Sequence, residues 1–241
     1  MHIEKLKSTY GQKIFKDINQ HLEKYKENDI YGSPIIFEFI FFGHIAPTTI
    51  KYISDAIDIE KNILKEFGLI VEIGGGYGGL LKTISVNIRF KKYILIDIPE
   101  ALILAKTYIS HFKELDNKVE YISSFDREKI KKINNIDLII GVCSIAELSE
   151  ENQIFYLNYL LKRAKNIFLV YNTLHIYRSL YYKSLFSLMN TFRIKIEPFN
   201  NTKYLYFKQS NSTFLLNVFS LIYDEFKEFI FRIKRFLKRI F

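Results

Sequence analysis

The chain is poor in cysteine and in long apolar runs. Its single cysteine, Cys143, excludes an intrachain disulfide and a cysteine-based zinc cluster. It has no apolar run of the roughly 18 residues that a membrane-spanning helix needs, so we predict no such helix. The first residues, MHIEKLKSTYGQK, are polar and lack the apolar core of a secretory signal. We therefore expect a cytoplasmic protein.

The bulk composition is that of a chain that buries a core. It has 241 residues, of which 49% are hydrophobic and 25% charged. This length suits one sizeable domain with appendages. The formal net charge of +9 favours anionic partners in general, such as nucleic acid, phospholipid headgroups or phosphorylated substrates.

Apolar residues at steps of three and four predict two N-terminal helices, over about residues 1–30 and 48–67. The sequence Tyr31–Pro34 breaks the first, and Gly68 is expected to end the second. The segment between them gives no strand signal. We therefore predict an N-terminal helical cap over residues 1–67.

From residue 69 to about 209, short apolar runs alternate with helical stretches, which predicts parallel βαβ units in an open α/β sheet. The seven predicted strands are Leu69–Ile73, Tyr93–Asp97, Val119–Ile122, Ile136–Val142, Asn166–Tyr171, Arg193–Glu197 and Tyr204–Lys208. The last two are joined by Pro198–Thr202 and are expected to form a hairpin. We predict a Rossmann-like domain over residues 68–210.

Residues 211–241 are predicted to contain a basic amphipathic helix, from about residue 213. From Phe226 onward there are six basic residues and one acidic residue, Glu228. Three roles are compatible with this pattern. The helix could bind an anionic membrane surface, present a basic surface to RNA, or pack its apolar stripe on its own domain or a partner subunit.

A glycine-rich segment at residues 71–80 follows the first predicted strand. Glu72 lies near the end of this strand, and Gly74, Gly76 and Gly78 follow before a helix begins. Glycines permit positive φ and close approach of a ligand to the backbone. Asp97 ends the next strand, 19 residues after Gly78, where a carboxylate can accept hydrogen bonds from ribose hydroxyls.

Two nucleotide cofactors fit this arrangement. Gly74, Gly76 and Gly79 also satisfy the dinucleotide fingerprint. Glu72 favours S-adenosylmethionine, because an acid beside the loop suits a cationic methionine end and would repel a pyrophosphate. The strand count with a terminal hairpin also resembles the topology of a methyltransferase. A tight turn without any ligand is the remaining alternative.

The glycine-rich segment resembles motif I of the class I S-adenosylmethionine-dependent methyltransferases, whose sheet has seven strands. Further segments fall in an order that resembles the sugar O-methyltransferases of bacterial surface-polysaccharide gene clusters. They are Tyr31–Pro34, Thr49–Ile53 with Ala56, Asp97–Glu100 and Ser144–Leu148. This resemblance covers roughly residues 30–175, and the basic C-terminal helix has no counterpart in it.

The resemblance implies a set of cofactor contacts. Glu72, Gly74, Gly76 and Gly78 would face the methionine part, and Asp97 the ribose. Ile98 would lie against the adenine. Either Ser124 or Asp126, in the turn after the third strand, would meet the adenine amino group.

Two residues are candidates for the general base that accepts the hydroxyl proton. Glu147 follows the fourth strand of the domain and His175 follows the fifth, at the edge where we expect the acceptor. Glu147 could instead favour the start of the helix at Ser149 or hold the cofactor's amino group, and His175 could be a surface residue. No His and carboxylate spacing resembles a metal site, and Cys143 is expected to be a small buried residue.

The sequence therefore predicts an O-methyltransferase that acts on a sugar hydroxyl of a bacterial surface glycan or its precursor. The acceptor would be a glycan or a nucleotide- or lipid-linked sugar. Residues 213–241 would contact the anionic inner face of the membrane, and we do not expect nucleic acid as partner. The alternatives are an RNA methyltransferase and a methyltransferase-like binding module without catalysis.

Overall fold

The computed structural model describes residues 2–172, 188, 192–199 and 202–209. The chain divides into two compact units, Met1–Lys132 and Ile133–Phe241. The predicted basic helix at 213–241 and the candidate base His175 lie outside the described residues. In the described part of the chain, no helix is long and apolar enough to cross a membrane.

The first unit opens with a series of short helices rather than the single helix predicted over residues 1–30. They are α1 (His2–Tyr10), α2 (Lys13–Asn19), α3 (Leu22–Lys26) and a 3-10 turn (Glu27–Asp29). Gly11 causes the first break, because its φ of +74° leaves the helical region. The prediction of one helix was wrong because apolar periodicity continues across these breaks.

A two-stranded antiparallel hairpin follows, in a segment where we predicted no strand. It pairs β1 (Phe37–Phe39) with β2 (Gly43–Ile45). The predicted second helix is present as α4 (Pro47–Asn62), with a proline in its first turn. The prediction that Gly68 ends this helix was wrong, since the helix ends at Asn62 and Gly68 lies within the next strand.

Three parallel strands complete the first unit, in the order β5-β4-β3. They are β3 (Glu66–Ile73), β4 (Arg89–Asp97) and β5 (Val119–Ser123). The helices after them are α5 (Gly79–Asn87), α6 (Pro99–Ile109), α7 (Lys113–Asp116) and α8 (Arg127–Lys131). Asp97 pairs in register with Ser123, so the loops after β4 and β5 begin side by side.

The second unit holds four further strands, in the order β6-β7-β9-β8. They are β6 (Ile136–Val142), β7 (Ala164–Asn172), β8 (Phe192–Phe199) and β9 (Thr202–Gln209). Helix α9 (Glu150–Tyr159) and a 3-10 turn (Leu161–Arg163) link β6 to the parallel strand β7. Strands β8 and β9 form the predicted hairpin, and β9 runs antiparallel to β7.

The fold is therefore mixed α/β with mostly parallel strands, as the sequence predicts. Each predicted strand overlaps an observed strand. Strands of a parallel sheet that are buried on both faces form continuous apolar runs, such as Ile94–Ile96, and such runs are easily recognised in the sequence. The division of the chain into residues 1–67, 68–210 and 211–241 stays a prediction.

Candidate functional site

The glycine-rich turn joins β3 to α5 through three left-handed residues. The φ angles are +76° at Gly74, +57° at Gly76 and +89° at Gly78. A non-glycine residue in this conformation costs about 1–2 kcal/mol, so each position favours glycine. At Gly78 a β-carbon would also lie 3.2 Å from Ile109 of α6, so this glycine serves both the turn and the packing beneath it.

Asp97 ties the turn to the end of β4. Its Oδ2 accepts a hydrogen bond from the Gly76 backbone N–H at 2.8 Å, and its Oδ1 accepts one from the Ile98 N–H at 2.8 Å. The Ser124 N–H donates to the Asp97 carbonyl oxygen at 2.8 Å. The structure thus brings together four of the predicted cofactor residues, around a carboxylate that is still partly exposed.

Glu72 lies beneath the turn and is buried, at 2% exposure. The Tyr93 hydroxyl donates a 2.7 Å hydrogen bond to its Oε2. Burial raises the pKa of the Glu72 carboxyl to about 7, and the negative charge of Asp97 adds to the rise. The Tyr93 hydrogen bond and the charge of Lys51 oppose it. The carboxylate is therefore poised between its charged and neutral forms near neutral pH.

Gly75 touches this carboxylate, although the sequence analysis did not select it. A β-carbon at Gly75 would lie 2.9 Å from the Glu72 Oε2 and 2.9 Å from the Leu95 side chain. Its φ is not in the left-handed region, so space rather than backbone conformation requires glycine here. Tyr93 was also missed, because one tyrosine in an apolar strand gives no sign that its hydroxyl has a buried partner.

A buried asparagine links the N-terminal region to the turn. Asn28, at 3% exposure, donates to the Thr49 hydroxyl at 2.6 Å and to the Tyr77 hydroxyl at 3.2 Å. Its side-chain oxygen accepts a hydrogen bond from the Tyr108 hydroxyl at 2.7 Å. The turn is thus held by residues from α4, α6 and the 3-10 turn before the hairpin.

Two apolar side chains are exposed in the neighbouring loops after β4 and β5. Ile98 is 48% exposed after β4, and Phe125 is 74% exposed after β5. Asp126, the alternative to Ser124 in the sequence analysis, caps α8 by accepting a 3.0 Å hydrogen bond from the Lys129 N–H. Its carboxylate therefore already serves the helix.

The two candidate bases are not brought together by the described structure. Glu147 is exposed, in a 3-10 turn (Ile145–Glu147) of the second unit, and His175 lies outside the described residues. Ser149, not Glu147, caps α9.

Cys143 is half-buried at the end of β6, so its predicted burial is only partial. Among the described residues, no group of three or more His, Cys, Asp or Glu side chains could hold a metal ion.

No protein-family model matches the sequence, and no curated protein is similar to it. Solved structures do match. A SAM-dependent methyltransferase from Aquifex aeolicus superimposes with a TM-score of 0.52 and 19% identity, over 68% of this chain and 94% of that chain. The fold is that of the SAM-dependent methyltransferases.

Two further structures have this fold. The methyltransferase domain of bacterial CtHen1 has a TM-score of 0.52 and 12% identity, over 66% of this chain and 97% of that domain. The mitomycin 7-O-methyltransferase MmcR has a TM-score of 0.50 and 12% identity, over 68% of this chain. The match covers only 55% of the mitomycin enzyme's length. These likenesses concern the fold, and the chemistry has to be argued from the site.

Proposed function

We propose that this chain is an S-adenosylmethionine-dependent methyltransferase. The observation that carries the proposal is the turn of Gly74, Gly76 and Gly78, fixed to Asp97 and lying directly above the buried acid Glu72. The seven-stranded class I sheet and the basic C-terminal helix are the finer parts of the same proposal.

The charge of the site favours a cationic ligand over a dinucleotide. The Glu72 carboxylate lies directly against the turn, because a β-carbon at Gly75 would lie only 2.9 Å from its Oε2. A dinucleotide would bring a pyrophosphate to this turn, where a carboxylate repels it. The ammonium and sulfonium groups of S-adenosylmethionine would instead be attracted to the carboxylate.

The remaining residues fit the nucleoside part of this cofactor. Each Asp97 oxygen has two lone pairs and uses one for a backbone N–H, so both can still accept a ribose hydroxyl. Ile98 and Phe125 offer apolar surface to the adenine from the two neighbouring loops. Ser124, held by Asp97, would face the adenine amino group.

We further propose that the acceptor is a hydroxyl of a sugar, as the resemblance of the flanking segments implies. The acceptor oxygen attacks the methyl carbon in line with the departing sulfur, so that an O–C bond forms and the C–S bond breaks. The hydroxyl proton passes to a base, for which Glu147 and His175 are the candidates. S-adenosylhomocysteine and the methylated sugar are the products.

The charge of the chain supports a proposal for the acceptor's carrier. With a net charge of +9, a glycan precursor linked to a lipid or a nucleotide provides a complementary anionic group. Residues 213–241 would hold the enzyme at the inner face of the membrane. The same net charge is the one observation that favours RNA as the acceptor instead.

Calorimetric titration with S-adenosylhomocysteine and with NAD tests the cofactor. We expect micromolar binding of the first alone, and weaker binding after Asp97→Ala, because the ribose loses its acceptor. Binding of NAD instead would refute the methyltransferase. Binding of neither compound would favour a degenerate module.

Methylation assays with Glu147→Gln and His175→Ala then identify the base. The variant that keeps the wild-type rate is excluded from that role. The same assay with a free sugar, a lipid-linked sugar and RNA as acceptors shows which class of substrate is methylated.

A further inference from the structure

Large apolar side chains are exposed along a short stretch before α4. They are Ile30 (66%), Tyr31 (37%), Ile35 (76%), Ile36 (41%), Phe37 (54%) and Ile40 (98%). Glu38 is the single charged residue between positions 30 and 40. Tyr31 stacks on His111 with ring centroids 3.8 Å apart, so Phe37 and Ile40 are the members of this set that belong to the hairpin and its turn. Exposed apolar residues that lie close together mark an interaction site more often than isolated ones do.

The β1–β2 hairpin holds Ile40 in a fixed position. Phe41 stacks on Phe15 of α2 with ring centroids 4.2 Å apart, and Phe42 is buried in the same cluster. Ile40, which precedes them at the tip between the two strands, has almost its entire side chain in solvent. The tip therefore presents one projecting apolar side chain, Ile40, on a turn that its two phenylalanines anchor to the protein.

Three lysines lie on the helices next to the turn of the hairpin. Lys13 and Lys16 are exposed on either side of Phe15, the residue on which the hairpin packs. Lys26 Nζ lies 3.9 Å from the position of a β-carbon at Gly43 in β2. Lys26 also contacts Glu23 at 3.4 Å, whereas Lys13 and Lys16 are exposed. An apolar tip with cationic groups beside it is suited to the boundary between acyl chains and anionic headgroups.

We propose that the β1–β2 hairpin inserts its tip into an anionic lipid surface. The shape favours this occupant, because a deformable bilayer accepts a convex tip, whereas a protein partner would need a matching pocket. The lysines favour anionic over zwitterionic lipid. This contact is separate from the one suggested for residues 213–241, and it does not depend on the proposed methyl transfer.

The hairpin is linked to the glycine-rich turn through α4 and Asn28. β2 ends at Ile45, two residues before α4 begins, and Thr49 of α4 reaches Tyr77 of the turn through Asn28. A hairpin inserted in a membrane would therefore set the distance of the turn from the lipid surface. Such an arrangement suits an acceptor carried on a lipid.

The absence of tryptophan from the chain makes a direct test possible. The full-length variant Ile40→Trp carries a single fluorescent reporter at the tip, and Leu104→Trp is the matched control on α6, where the native side chain is 57% exposed. Both are mixed with phosphatidylcholine vesicles with and without phosphatidylglycerol. We expect the fluorescence of the tip reporter to shift to the blue and to be quenched by brominated lipid. Both effects should occur only with the vesicles that contain phosphatidylglycerol.

A charged residue at the tip provides the second measurement. Ile40 makes almost no contact with the fold, so Ile40→Asp should leave the melting temperature unchanged. Loss of this apolar side chain is expected to weaken partition into anionic vesicles about tenfold. Vesicle binding without a shift at the tip would overturn the proposal and assign binding to another segment. A blue shift of the tip reporter that appears without lipid as the protein concentration rises would also overturn the proposal. The tip would then bind a second copy of this chain.

Discussion

Replacing Glu72 with glutamine should change how the stability of the protein depends on pH. Burial raises the pKa of the Glu72 carboxyl from 4.5 in the unfolded chain to about 7 in the folded protein. The folded state therefore holds a proton that the unfolded state releases between these two values. The stabilising contribution is fully present below about pH 4.5 and is lost as the pH rises to about 7.

The size of this effect follows from the shift. Each pKa unit corresponds to about 1.4 kcal/mol, so the full contribution is about 3 kcal/mol. Glutamine is neutral at every pH and keeps a polar partner for the Tyr93 hydroxyl. We expect the variant to gain about 2–3 kcal/mol over the wild type on going from pH 5 to pH 8.

Urea denaturation of both proteins at the two pH values measures the difference. Asp58, paired with Lys5, also has a raised pKa of about 6, but it is common to both proteins and cancels. Tyr93→Phe is the matched control, because it removes the hydrogen bond that favours the charged form and should lower stability more at pH 8 than at pH 5. If the free energies of unfolding of the wild type and Glu72→Gln differ by the same amount at both pH values, the raised pKa of the Glu72 carboxyl is refuted.

Three further changes test the site. Gly75→Ala places a β-carbon 2.9 Å from Glu72 and Leu95, and should cost about 1–3 kcal/mol on thermal denaturation; an unchanged melting temperature would contradict the close packing. Tyr108→Phe leaves the buried Asn28 oxygen without its donor, for an expected loss of about 1–2 kcal/mol in urea. S-adenosylmethionine, as a cation, should release protons from Glu72 at pH 7, seen as a buffer-dependent binding enthalpy; persistence of this dependence in Glu72→Gln would assign the protons to another group.

The glycine-rich turn was predictable because its chemistry is local. Three positions with positive φ in one strand-to-helix connection require glycine, and they leave that pattern in the sequence. The position of Asp97 followed from strand geometry, since neighbouring parallel strands end at the same edge. The assignment of these residues to cofactor contacts stays a prediction.

The N-terminal region was less predictable because its boundaries depend on tertiary contacts. The apolar residues of α1 and α2 all pack into one cluster, so their spacing conceals the break at Gly11. The β1–β2 hairpin is an isolated pair with half-exposed apolar residues, and it lacks the alternation that identifies strands. Gly68 sits in a strand because the backbone pairs with β4, a long-range contact that sequence patterns do not report.

The contacts of Asn28 show that the N-terminal region supports the glycine-rich turn. Tyr77 belongs to the turn itself, and its hydroxyl is held by an asparagine from the 3-10 turn before the hairpin. Lys82 of α5, which begins at the turn, is also buried and donates a 2.6 Å hydrogen bond to Glu27, one residue before Asn28. Because both partners come from the same short segment, a displacement of that segment would disturb the turn and the start of α5 together.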